Sequence, residues 1–162
     1  MGAHDIWYAM TTPPWSILCF WVGWFSTGGI AAHLSGWPRM AKRFGEAMPR
    51  QAQEPLRFAS GFIGPLHRFP VSFLNCLYVT LGEDGFRLAV FFPWRFMQPP
   101  FTLPWSAVES VRRERFLGVW HSVVRIQGEA SAIRVSGQAG QALLAAYEQR
   151  QLLQPVSSLE LV

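Results

Sequence analysis

Few residues of this chain are suited to act as nucleophiles, acids or bases, and they are widely spaced. Cys76 could pair with His67 or His121, because an imidazole can deprotonate a nearby thiol, but the three residues fall on separate predicted elements. The two aspartates, Asp5 and Asp84, have no obvious partner carboxylate for general acid–base catalysis. The sequence therefore does not predict an enzyme.

Motifs for metals, nucleotides and other cofactors are also missing from the sequence. Neither Cys19 nor Cys76 has a CxxC neighbour, so we expect no zinc site and no disulfide framework. No Walker A or GxGxxG motif occurs. We expect no cofactor, and no pattern indicates a small-molecule substrate.

The composition favours contact with a membrane over contact with nucleic acid. Of the 162 residues, 50% are hydrophobic and 15% are charged, whereas soluble domains average about 25% charged residues. The net charge is +4, without a dense run of cations, zinc-finger spacing or an RNA-recognition motif. We therefore expect no nucleic-acid partner, and the length favours one folded domain.

The low charge comes from residues 6–38, which contain no Lys, Arg, Asp or Glu. The centre of this stretch, "WSILCFWVGWFSTGGIAA" (15–32), would form a helix about 27 Å long, close to the roughly 30 Å thickness of a bilayer's hydrocarbon core. Aromatic residues that favour the lipid–water interface stand near its ends: Trp7, Tyr8, Trp15 and Trp37. We predict a transmembrane helix over about 15–34, within an N-terminal segment 1–38.

Two other interpretations of this segment stay open. A signal peptide begins with a positive region, whereas "MGAHDIWYAM" has no Lys or Arg and contains Asp5. A helix inside a globular core must be enclosed on all sides, which a domain this small rarely achieves. The transmembrane interpretation is preferred to both.

Four cations follow the predicted span, with only Glu46 opposing them: Arg39, Lys42, Arg43 and Arg50. Because cytoplasmic flanks are enriched in Lys and Arg, the C-terminal part is predicted to be cytoplasmic and the N-terminus outside. Each cation could also contact anionic lipid headgroups, worth about 1 kcal/mol near the surface. We therefore predict a single-pass protein of the inner (cytoplasmic) membrane, with a basic juxtamembrane linker over 39–55.

After the linker, apolar residues recur at every second position. "CLYVTL" (76–81) and "FRLAVFF" (86–92) each place alternate apolar residues on one face, and "GEDG" forms the turn of a hairpin. Five further strands are predicted: 56–63, 101–105, 109–118, 120–128 and 131–137. The charges of "RRER" (112–115) are typical of an exposed edge strand, with a cationic face beside the headgroups as the alternative.

After Gly137 the apolar residues recur at helical spacing, which predicts one amphipathic C-terminal helix. The predicted fold class is mainly β with α. It comprises the N-terminal transmembrane helix, then a bent β-barrel of about seven strands capped by the C-terminal helix over 56–154, and a tail over 155–162.

The order of these elements carries a resemblance. A hairpin, then "PFTLPWSAVESV" (100–111), then two strands and a helix is similar to a bacterial pleckstrin-homology-like (PH-like) or GRAM-like domain. "LSGWPRMAKRF" (34–44) resembles a Gly-Trp-x-x-Leu-Ala pattern that follows the membrane helix in small bacterial proteins of this arrangement, with Met40 replacing Leu. The resemblance implies a fold and a membrane location, not a reaction.

"SAVE" (106–109) also matches a capping box, which indicates a helical turn after Trp105.

An aromatic segment, "FFPWRFMQPPFTLPW" (91–105), interrupts the strands. Its four prolines exclude a single helix or central strand, so it must contain a loop. We predict that five of its residues contact lipid or a protein partner: Trp94, Arg95, Phe96, Met97 and Phe101. The alternative, a loop folded back over the barrel, stays open.

Two function classes follow from these patterns. The first is a membrane-anchored, non-catalytic binding or scaffolding module that presents a PH-like domain at the cytoplasmic face and recruits a protein or lipid. The second is a small accessory subunit of a larger membrane complex, which the spacing of Gly28 and Ala32 for close helix packing would suit. An enzyme is disfavoured by the lack of a catalytic pattern.

Replacing Trp94 and Phe96 with Ser distinguishes the two interpretations of the aromatic segment. The test uses the folded, mostly β domain that deletion of residues 1–38 is predicted to release. If the rings are contacts, liposome or partner binding should weaken at unchanged thermal stability, because burying apolar surface is favourable by about 25 cal/mol per Å². Lower stability with intact binding would instead place the rings in the core.

Overall fold

The computed structural model describes residues 14–65, 70–92, 95 and 97–153. These residues form three helices and seven strands, and a 3₁₀ turn over Trp105–Ala107 occurs where the capping-box pattern predicts a helical turn. The elements are α1 Pro14–Ser35, α2 Trp37–Phe44, β1 Leu56–Pro65, β2 Val71–Leu81, β3 Gly85–Val90, β4 Phe101–Pro104, β5 Val108–Phe116, β6 Val119–Ile126, β7 Ser131–Ser136 and α3 Gly137–Leu153.

All seven strands join one antiparallel sheet in the order β4-β3-β2-β1-β7-β6-β5. β1 lies at the centre, where Phe62 is opposite Ser72 of β2 on one side and Arg134 of β7 on the other. The sheet curls into a half-barrel, and α3 packs against it through β1, β6 and β7. The predicted fold class is confirmed, with β4 and the charged β5 as the two edge strands.

The predicted β2–β3 hairpin is confirmed, and its alternating pattern explains the core. Phe86, Leu88 and Val90 all point inward and are at most 2% exposed. At the start of β3, a Cβ on Gly85 would lie 2.3 Å from the Leu103 carbonyl oxygen of β4. Only glycine allows the two strands to approach this closely.

Strand β2 begins at Val71, well before the predicted start at residue 76. The alternation is obscured in its first half because the β1–β2 ladder shifts register on both sides of Ala59. Asn75 adopts a left-handed backbone, with φ of 50°, and its N–H donates to the Ser60 hydroxyl over 2.9 Å. Such bulges change which side chains face outward.

Trp37 lies at the centre of the core, so its predicted position at the lipid–water interface is wrong. Its side chain is 0% exposed, and its ring centroid lies 5.0 Å from that of Phe101 and 5.5 Å from that of Phe73. The indole Nε1 donates to the Pro99 carbonyl over 2.7 Å. Trp37 reaches the core because Gly36, with a φ of 74°, adopts the left-handed conformation that ends α1. The chain changes direction there, and α2 begins with Trp37.

The predicted linker is partly helical and is held to the domain. α2 continues to Phe44, with Trp37 and Met40 both buried. Beyond it, the Thr102 N–H donates to the Gly45 carbonyl over 3.0 Å, and the Gln53 N–H donates to the Leu81 carbonyl over 2.8 Å. The segment is therefore attached along the sheet and is not a free tether.

We expect Trp37→Ala to lower the free energy of unfolding by about 3–5 kcal/mol, because it leaves a cavity beside Phe73 and Phe101. Thermal unfolding of the full chain in mild detergent measures the effect. Trp21→Ala is the matched control, since Trp21 is 46% exposed on α1 and its loss should change stability by less than about 0.5 kcal/mol.

The burial of Trp37 also predicts where the chain can be shortened without loss of stability. A chain lacking residues 1–38 loses Trp37 and should be far less stable than a chain lacking residues 1–35, which retains it. Equal stability of the two truncated chains would contradict the central role of Trp37.

Candidate membrane interface

Helix α1 exposes most of its apolar side chains. Ser16–Ser35 has 20 residues with a mean hydropathy of 1.4, and only 11% of its most apolar stretch is buried. By length and composition it could cross a membrane. A core helix is mostly buried, whereas these large residues are exposed: Ile17, Leu18, Phe20, Trp21, Val22, Phe25, Ile30 and Leu34.

One face of α1 packs against its own domain. Gly28, Ala32 and Ser35 are buried at a helical spacing of four and three residues, and α1 contacts β1 and β2. A Cβ on Gly29 would lie 3.8 Å from the Met97 Sδ. The small residues therefore allow α1 to lie close to its own domain, while the predicted packing of Gly28 and Ala32 against a helix of a larger complex stays a prediction.

The four predicted headgroup contacts follow α1 directly and are all exposed. Arg39, Lys42 and Arg43 lie on α2, opposite its buried residues, and Arg50 lies in the segment after it. Arg43 also pairs with Glu129 at 3.1 Å, so part of its charge is already compensated. The structure thus places the three cations of α2 close to the domain end of α1, whereas Arg50 lies at the β2–β3 turn, where its N–H donates to the Asp84 carboxylate over 2.8 Å.

The aromatic segment is divided between core and surface. Phe101 is 0% exposed and packs on Trp37, so its predicted role as a partner or lipid contact is wrong. The physical reason is that Phe101 starts β4, where its side chain points inward. Arg95 is exposed and Met97 is half-buried near α1. The remaining predicted contacts, Trp94 and Phe96, lie outside the described residues.

An aromatic cluster on the outer face of the sheet was not predicted. Phe58, Tyr78 and Phe91 form this outer aromatic cluster, with ring centroids 5.9 to 6.3 Å apart. Phe58 and Phe91 are 58% and 45% exposed. Gly61 is the sequence feature that could have indicated the change of face, because a glycine within a strand often marks a bulge or a close approach; a Cβ there would lie 2.3 Å from the Arg134 carbonyl oxygen.

The tip of the β5–β6 hairpin also exposes apolar side chains. Leu117, Val119 and Trp120 are 77%, 54% and 51% exposed, and the Arg113 guanidinium lies 4.8 Å from the Trp120 ring centroid. Leu117 and Gly118 both have positive φ, as a tight hairpin turn requires. The tip is linked to the centre of the sheet through the preceding residue, Phe116, whose ring centroid lies 5.1 Å from that of Phe62 on β1.

The residues considered for catalysis do not form a site in the part of the chain that is described. Cys76 lies on β2 and His121 on β6, with β1 and β7 between them, and His67 falls outside the described residues. The His121 Nδ1 lies 2.9 Å from the Val119 carbonyl oxygen, and its ring packs on Phe62. Within 14–65, 70–92, 95 and 97–153, no group of three His, Cys, Asp or Glu side chains could hold a metal.

The described fold and surface define a class of protein, a mainly β half-barrel domain that carries one exposed apolar helix. Comparisons with protein-family models, curated proteins and solved structures find no match for this chain.

Cys76 lies in the groove between α1 and the sheet, which Thr27, Ala31 and Leu74 also line. Burial raises the pKa of the Cys76 thiol above its ordinary value. Because only the thiolate reacts, we expect maleimide to label a Cys19→Ser variant more slowly than a cysteine peptide at pH 8. The labelling rate should keep rising at pH values where the rate of the peptide levels off.

Stability should follow the same pKa shift. Because the pKa of the Cys76 thiol is raised in the folded state, the thiol of the unfolded chain loses its proton at lower pH. The stabilisation that this difference gives to the folded state is present below the ordinary thiol pKa and is lost as pH rises through the pKa of the folded state. A labelling rate equal to that of the peptide, before and after denaturation, would contradict the burial of Cys76.

Proposed function

We propose that this protein is a membrane-anchored, non-catalytic binding or scaffolding module, which holds a PH-like domain at the cytoplasmic face of the inner membrane. The proposal rests on a difference in burial between α1 and the start of the helix that follows it. Large apolar side chains from Ile17 to Leu34 are exposed, yet the next helix begins with Trp37, at the centre of the core. An exposed apolar surface of this size needs apolar surroundings, while the buried end attaches the helix to a folded domain.

The energetics favour insertion of α1. Each Leu, Ile, Phe or Val near the bilayer centre contributes roughly 0.3–0.6 kcal/mol, so the exposed apolar residues together supply about 2–4 kcal/mol. Cations follow immediately on α2, where they would meet anionic headgroups of the cytoplasmic leaflet. This arrangement supports an orientation with the C-terminal domain in the cytoplasm.

The attachment supports a scaffolding role because it is short and packed. Only Gly36 separates α1 from α2, and Gly28, Ala32 and Ser35 are buried at the same junction. The domain would therefore present its surfaces at a fixed angle to the bilayer, available to lipid and to a protein partner. The order of strands and the packed C-terminal helix support a PH-like domain as the presenting unit.

We expect the protein to remain in the membrane fraction after alkaline carbonate washing and to be released by Val22→Asp combined with Phe25→Asp. Two aspartates near the helix centre cost about 5–7 kcal/mol, more than the apolar residues supply. Leu117→Asp with Val119→Asp is the matched control, because it adds the same charges at exposed apolar positions outside α1. Release of the unsubstituted protein by carbonate would contradict the proposal.

Orientation and partners are measured on the same protein. A C-terminal reporter that functions only in the cytoplasm should be active, and activity of a periplasm-only reporter would contradict the orientation. Purification in mild detergent then distinguishes a module from an accessory subunit, since an obligate subunit would bring stoichiometric partners through every column.

A further inference from the structure

We infer that the outer aromatic cluster, together with Leu74, is a second membrane contact, which docks the domain on the headgroup layer of the leaflet where α1 ends. The inference rests on the proposed anchoring by α1. It adds which face of the domain lies on the lipid, a property that anchoring alone leaves open.

The outer aromatic cluster is continuous with the surface of α1. Thr27 and Ala31 of α1 line one groove with Leu74 and Cys76 of β2. The Phe91 N–H donates to the Cys76 carbonyl over 2.7 Å, so Phe91 lies directly beside this groove. The cluster therefore extends the apolar surface of the helix onto the domain, and whatever surrounds α1 is next to the cluster.

The length of α1 limits how far the domain can stand from the bilayer. The buried face of α1 extends from Gly28 to Ser35, which is about 10 Å along a helix. The candidate span of 20 residues, Ser16–Ser35, has little length to spare for a roughly 30 Å hydrocarbon core. Domain residues that flank Thr27 and Ala31 must then reach the headgroup layer, and Leu74, which lines their groove and is 70% exposed, is one of them.

The backbone at Phe58 is held in an unfavourable conformation. Its φ of 57° is disfavoured for a bulky side chain, and the register shift beside it turns the ring outward onto Tyr78 and Phe91. Little of that cost is offset by burial within the protein, because Phe58 is 58% exposed. Strained residues of this kind concentrate at functional surfaces.

The charges around the cluster fit lipid. A shallow depression beside Tyr78 and Phe91 is lined by Arg87 and Arg95, and the depression beside Phe58 is lined by Arg57 and Glu54, so the described charges around the cluster are cationic on balance. Aromatic rings with a polar tip, such as Tyr78, favour the layer between hydrocarbon and water, and the arginines would attract anionic headgroups. Arg95, predicted from the sequence as a contact, thus belongs to this surface.

The test places single nitroxide labels on the full chain, in a Cys19→Ser and Cys76→Ser background, in vesicles of phosphatidylcholine and phosphatidylglycerol. Labels at Leu74→Cys and Phe58→Cys report on the inferred contact, and Ile17→Cys reports on α1. Leu117→Cys is the matched control for Phe58→Cys, because both positions are exposed, apolar and at positive φ. Collision rates with oxygen and with a water-soluble nickel chelate give the depth of each label.

We expect labels at 17, 74 and 58 to collide more often with oxygen than with the nickel chelate, and the label at 117 to show the reverse. If 74 and 58 behave like 117 while 17 lies in lipid, the second contact is overturned and anchoring by α1 stands. Such a result would favour a protein partner, and not lipid, as what contacts the outer aromatic cluster. If the label at 17 is also in water, the proposed anchoring fails with it.

Discussion

The contact between Trp37, Phe73 and Phe101 is the interaction on which the rest of the arrangement depends. Trp37 is one residue beyond the glycine that ends α1, yet its indole is enclosed by the half-barrel and donates to the Pro99 carbonyl over 2.7 Å. A large aromatic side chain gains more from such burial than any other residue type. The apolar helix and the domain are therefore one packed unit.

This coupling determines what the surface of the domain can do. A domain on a flexible tether samples many orientations, whereas a domain whose core contains the first turn of α2 has one. Gly28, Ala32 and Ser35 are buried at the same junction, and α1 contacts β1 and β2. The basic face of α2 and the outer aromatic cluster consequently hold constant positions relative to α1, which is the condition for a surface to lie on a bilayer.

The basic face of α2 and the outer aromatic cluster face outward for different physical reasons. The cations at Arg39 and Lys42 are outward because Trp37 and Met40 occupy the opposite face of a short helix. The cluster at Phe58 is outward because a register shift in β1 reverses the side on which a large residue would ordinarily pack. The first arrangement follows from helical periodicity, and the second follows from a bulge that only the paired strand makes possible.

The sequence by itself determined the elements whose pattern is local. The uncharged run predicted an apolar helix, alternation at Phe86, Leu88 and Val90 predicted the hairpin, and the last stretch predicted an amphipathic helix, because these periods are set by backbone geometry. Only the tertiary structure decided that β1 pairs with β7, that Trp37 and Phe101 meet in the core, and that Phe58 faces outward. Those outcomes depend on contacts between residues far apart in the chain, and neither composition nor periodicity encodes which distant partner a buried ring or a strand edge will find.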